Sequence, residues 1–140
     1  MDIAALAMWA VTALGGFYML ATWFSRGGPH SHDSRLPVPV VFGHFALAAA
    51  GLVVWILYVI SDAGALAWTA FGLLVPVVLL GLTLLVRWIP VYRRHVTAQA
   101  GGADSGPVEA YFPVTVVAGH GLAAVTTVVL VLLTASGIGG

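Results

Sequence analysis

An all-α fold, an integral membrane four-helix bundle with both termini outside, is what this sequence predicts, on three observations. Of its residues, 61% are hydrophobic and only 7% charged, against the ~25% charged that is usual in soluble domains. The apolar residues gather into four runs of ~20 residues or slightly more, each long enough for ~30 Å of hydrocarbon. Every basic residue is an arginine, and all five (Arg26, Arg35, Arg87, Arg93 and Arg94) flank the loops that follow the first and third runs.

The first run covers residues 3–24. No Lys or Arg precedes it and it outlasts a signal-peptide core, so it reads as a retained span rather than a cleaved leader. A loop rich in Gly, Pro, Ser and His, residues 25–37, leads into the second helix, residues 38–61. Asp62, Ala63 and Gly64 make a tight turn into the third, residues 66–88, where Pro76 removes a backbone donor and is expected to kink the helix. The polar stretch 89–110, carrying Arg93-Arg94-His95 and GGADSG, reads as a mobile loop. Tyr111, Phe112 and Pro113 open the fourth helix, residues 111–134, before a glycine-rich tail. The chain is a single transmembrane domain.

The arginines orient it. The positive-inside rule puts loops 25–37 and 89–110 in the cytoplasm and both termini outside, in a multi-pass protein of the inner, cytoplasmic membrane. Trp23, Phe24, Trp88, Tyr92, Tyr111 and Phe112 should form an aromatic belt at the cytoplasmic face, with Asp2 and Asp62 marking the other.

Composition also excludes. Zero net charge without a single lysine argues against nucleic acid or an acidic protein as partner. The absence of cysteine removes disulfides, thiolate metal sites, iron–sulfur clusters and c-type haem attachment. There is no Ser-His-Asp set in a plausible plane, no acid within a span and no nucleotide-binding spacing, so the chain is not expected to be an enzyme on its own. The lipid bilayer is the expected partner; subunits of a membrane complex, a quinone or further copies of the chain are the candidates beside it.

Two histidines lie inside hydrocarbon, where an ionisable side chain is expensive and usually has a task. His44 follows Gly43 in the second helix, and His120 follows Gly119 in the fourth. The two helices read alike: proline at the entrance, Gly-His, small residues, then a β-branched and leucine tail, as in parallel repeats about an axis normal to the membrane. Helical steps from His44 reach Ala48, Gly51, Trp55 and Tyr58; from His120 they reach Ala124, Thr127, Val131 and Thr134. In the other helices Thr12, Gly16 and Met19 share a face, as do Thr69, Gly72, Pro76 and Thr83. Such small and hydroxylated residues suit helix interfaces in membranes, which places both histidines inside the bundle.

Both imidazoles sit ~10 Å beyond the proline that opens their helix, Pro37 or Pro113. At one depth on diagonal helices, ~14 Å apart between axes, they are too far apart to bond directly but span that gap with an iron between them. Gly43, Gly119 and Gly51 are the candidates to let a flat macrocycle lie close. This arrangement resembles the membrane b-type cytochromes, which hold haem between histidines of the second and fourth helices with glycines facing the porphyrin. The resemblance implies one haem b with iron ligands His44 and His120, and quinone-linked electron transfer. Leu57/Tyr58 and Leu133/Thr134 stand where a second haem would need histidines, so only one is expected. The whole chain also resembles small four-helix bacterial membrane proteins of unknown function, which implies the topology alone.

Other readings stay open. Both histidines also suit interhelical hydrogen bonds in a structural or assembly subunit, as a lone intramembrane histidine in a small bundle commonly does. A small metal or proton carrier would need a polar path, and beyond the histidines only Thr127, Thr134, Tyr58 and Ser61 supply one. His30 and His32, with Asp33, have the ligand types for a transition metal, though a solvated loop explains them more simply. Arg93, Arg94 and His95 suit a haem propionate, an anionic headgroup or a partner protein.

Overall fold

A computed structural model describes residues 1–102 and 106–138. The centre of GGADSG and the last two residues of the tail lie outside the described residues. Four helices, α1 (Asp2–Ser25), α2 (Val38–Ser61), α3 (Gly64–Ala100) and α4 (Val114–Ala135), make up the chain, with 3₁₀ turns at Gly28–His30 and Val108–Tyr111. Among the described residues there is no strand. All four helices are long and apolar enough to cross a membrane.

Helices α1, α2 and α4 keep close to their apolar runs, because hydropathy and span length decide them together. The third departs. Residues 89–100, expected as loop, continue α3, which runs through both Pro76 and Pro90. Proline removes one hydrogen bond and need not end a helix that is otherwise held. What holds this one is an inward stripe of Trp88, Val91 and His95, buried beneath the 3₁₀ turn that leads to α4. With 37 residues, α3 is ~55 Å long, so its arginine-bearing end projects beyond a ~30 Å hydrocarbon layer. Residues 108–111, given to the fourth helix or its loop, form that turn, and Pro113 is the N-cap of α4.

Packing is closest within two pairs, α1 with α4 and α2 with α3, leaving α2 and α4 diagonally opposed. Two apolar clusters hold the bundle. Far from the arginines, Ala5, Trp9, Trp55, Ala67, Ala70, Leu74 and Val131 close together. At the basic end, Trp23, Leu36, Trp88 and Phe112 do the same. The expected aromatic belt is therefore only partly one: Trp23, Trp88 and Phe112 turn inward, and Phe24 remains exposed.

The buried positions repeat. Ala5, Trp9 and Trp23 of α1 correspond to Ala70, Leu74 and Trp88 of α3, each 65 residues on. Leu36, Gly51 and Trp55 correspond to Phe112, Thr127 and Val131, each 76 residues on. The same register buries both halves, as parallel repeats require. On α2 and α4 the inward faces are those counted from the histidines, with Gly51, Trp55, Thr127 and Val131 buried. On α3 the expected face is wrong. Thr69, Gly72 and Thr83 are exposed, and the two threonines satisfy their hydroxyls on carbonyls of their own helix, Ala65 and Leu79. A hydroxyl bonded this way does not need a neighbouring helix.

Gly51 lies against the Trp9 indole, where a Cβ would sit 3.0 Å from Cζ2 and 3.1 Å from Cη2. Gly51→Leu should destabilise the bundle in detergent by about 1–3 kcal/mol, the usual scale of overpacking. Gly64 has nothing within 4 Å of a Cβ, and the positive φ in its turn belongs to Asp62, at 54°. Gly64→Ala should thus be neutral or stabilising by up to ~1 kcal/mol. Comparable losses at both positions in denaturant titrations would contradict this packing.

Candidate functional site between the second and fourth helices

Between the two apolar clusters the bundle carries a polar layer, and His44 and His120 meet in it. Their ring centroids are 6.3 Å apart with planes at 63°. Each ring is anchored to the backbone of the helix its own helix packs against. His44 Nδ1 lies 2.9 Å from the Val77 carbonyl oxygen on α3, and His120 Nδ1 lies 2.8 Å from that of Thr12 on α1. A carbonyl only accepts, so each Nδ1 donates, and in a neutral imidazole the lone pair then resides on Nε2. Among the described residues no side chain or backbone group bonds either Nε2.

Glycine makes these contacts feasible. Within an α-helix the carbonyl of residue i already accepts from residue i+4, whose side chain would crowd its second lone pair. Residue i+4 is Gly16 for Thr12 and Gly81 for Val77. A Cβ at Gly81 would lie 3.1 Å from His44 Cε1, and one at Gly16 would lie 3.2 Å from His120 Cε1. Gly15 backs the other end of that side chain, where a Cβ would lie 3.2 Å from His120 Cβ. The two halves of the site thus share one construction: imidazole, carbonyl, and glycine one turn later.

The glycines next to the histidines in sequence are placed otherwise. Gly43 approaches only Leu80, at 3.7 Å, and Gly119 has nothing within 4 Å of a Cβ. Gly51 is covered by Trp9 rather than open to a slot. Gly16 and Gly81 hold matching places in their helices, each seven positions before a buried tryptophan, Trp23 and Trp88.

Around the pair the layer is sparse. Thr127 Oγ1 stands 3.4 Å from Thr12 Oγ1, but each hydroxyl also bonds a carbonyl of its own helix. Phe17 and Phe45 meet edge to face at 5.4 Å between α1 and α2. Among the described residues no three His, Asp or Glu side chains come together. His30, His32 and Asp33 therefore make no three-ligand site, and the paired histidines have no third protein ligand.

The basic end holds what the sequence did not announce. Glu109 is fully buried; its Oε1 accepts from the Arg35 backbone N–H, its carbonyl accepts from Trp88 Nε1 at 2.9 Å, and its Oε2 has no partner. His95 is buried beside Tyr111, with ring centroids 5.0 Å apart, and its Nδ1 also lacks a partner. The Arg26 guanidinium lies over the Tyr111 ring at 4.3 Å.

Two imidazoles that share a metal ion through ~2 Å bonds have ring centres ~6 Å apart, and the observed spacing matches. The same spacing falls within ordinary aromatic contact. The anchoring of Nδ1 on a carbonyl is the outer-shell bond that metal-ligating histidines commonly make. Compared with known proteins, the chain matches no family model, no curated protein and no solved structure.

Proposed function

We propose that the imidazoles of His44 and His120 would hold the iron of a single b-type haem. On this reading the protein is a small membrane cytochrome, or the haem-bearing accessory subunit of a larger complex, in quinone-linked electron transfer. The observation that carries the reading is the histidine pair itself: two rings 6.3 Å apart with planes at 63°, each tied through Nδ1 to a carbonyl. Two protein ligands without a third suit an ion that brings its equatorial ligands with it. A haem held there would supply one-electron transfer. The Val77 and Thr12 carbonyls would fix ring orientation and raise the basicity of Nε2. Gly81 and Gly16 would keep the rings seated, and the two apolar clusters above and below would exclude water. The arginine-bearing end is read as cytoplasmic, which puts the pair nearer that side of an inner membrane.

A second reading has an observation of its own. Each imidazole already ties one helix to another, α2 to α3 and α4 to α1. That suffices for a structural or assembly subunit with no cofactor. The dithionite-reduced absorption spectrum decides between them. Protein purified from a haem-replete host should be red, with the sharp α-band of a low-spin b haem and one haem per chain. A folded, colourless protein would leave the structural reading.

A further inference from the structure

At the basic end, where α3 projects past the bundle, a pocket of about 170 Å³ opens between α3 and the segments before α2 and α4. Arg35, Arg94, His95, Gly106 and Pro107 are among its walls. We infer that it is a binding site for a phosphate group, borne by an anionic lipid or free in solution. It shares no residue with the His44–His120 pair and does not depend on what that pair holds.

Three features point to an anion of this size. Among the described residues the ion pair formed is between the N-terminal ammonium and Asp2; Glu109 accepts the Arg35 backbone N–H, and no described carboxylate pairs with the Arg35 or Arg94 guanidinium. The Arg87 guanidinium, outside the pocket, donates to the Arg35 carbonyl at 3.4 Å. Guanidinium groups match phosphate oxygens with paired donors, so two on one small pocket select for such a group. The second feature is His95, 7% exposed, whose buried Nδ1 bonds nothing in the protein. A buried ring nitrogen without a partner is unfavourable until a ligand or a water supplies one. A Cβ at position 106 would stand 3.1 Å from that nitrogen, so the glycine keeps the space over the imidazole. The third is volume. At about 170 Å³ the pocket falls short of the ~300–1,000 Å³ of sites for drug-sized ligands, which disfavours a quinone ring or a nucleotide. A phosphate with a water or two fits. Arg94 and Ala98 continue into a shallow groove with Arg93 and Thr97, a way out along α3 for a glycerol ester at headgroup depth.

The test follows thermal unfolding of the whole chain in uncharged detergent. One arm titrates inorganic phosphate against chloride at equal ionic strength. The other compares phosphatidylglycerol with phosphatidylcholine in mixed micelles. Wild type should show a rise in midpoint that grows with the ligand. Arg94→Gln and Arg35→Gln should lose that rise, His95→Phe should weaken it, and Arg93→Gln, of equal charge but off the pocket, should keep the phosphate response. Arg94 and Arg35 are exposed, so their variants stay folded and informative even where His95→Phe does not. A response to phosphate alone identifies the free ion, and one to phosphatidylglycerol alone identifies the headgroup. If neither arm separates wild type from Arg94→Gln and Arg35→Gln, the proposal is overturned.

Discussion

Gly16→Leu and Gly81→Leu should each cost the bundle about 2–5 kcal/mol, while the same change at Gly43 or Gly119 should cost much less. Overpacking alone accounts for ~1–3 kcal/mol. The remainder comes from what the larger side chain displaces. With a Cβ already 3.1–3.2 Å from Cε1 of the facing imidazole, a leucine drives the ring off its carbonyl. The Nδ1–H of the half-buried ring then goes unpaired within the span at a cost of ~1–3 kcal/mol. Alanine at either position should be intermediate, since the ring has only to yield by a few tenths of an ångström. Denaturant titration in detergent measures all of these. Equal sensitivity at Gly43 and Gly81 would mean that the glycine one turn after the carbonyl does not seat the imidazole.

Trp55→Ala should be of similar size, about 3–5 kcal/mol, on the scale of large aromatic truncations. The side chain is fully buried at the point where all four helices converge. Its ring lies tilted against Tyr58 at 4.8 Å and Trp9 at 6.5 Å between centroids, and its indole N–H donates to the Asp2 carbonyl at 3.2 Å. Those last two contacts join α1 to α2, helices with few other contacts between them. Alanine would leave a cavity across that seam. Trp68, 51% exposed, is the matched control, and Trp68→Ala should change little in the same titration. A larger loss at Trp68 than at Trp55 would reverse the inside and outside of the bundle.

Much of the architecture is legible in the sequence because hydrocarbon is a severe filter. A run of ~20 apolar residues admits few other readings, and α2 spans the very residues expected, Val38–Ser61. His44 and His120 stand out for the same reason. Legibility fails where the filter stops. Beyond Trp88 the chain turns polar, and Pro90 with two arginines outweighs the spacing of Trp88, Val91 and His95, which is helical. Thr69 and Thr83 misled for another reason: a threonine can close its hydroxyl on its own helix and face lipid. The partners of the histidines were hidden because they come from other helices. Gly43 and Gly119 are neighbours in sequence, but Gly81 and Gly16 are neighbours in space, and only the packing register of α2 on α3 and α4 on α1 reveals that. Glu109 gives no sign of burial in a stretch of ordinary loop composition.

The most direct measurement of the central claim is the haem content of His44→Ala and His120→Ala, read from reduced spectra of protein purified from haem-replete cells. If the pair holds one haem between them, either substitution alone abolishes the low-spin α-band, because an iron with one axial ligand lost is five-coordinate or unbound. His30→Ala and His32→Ala, in the first loop, should retain it in full. Wild-type protein without the band, or a band that survives the loss of His44 or His120, would contradict the account.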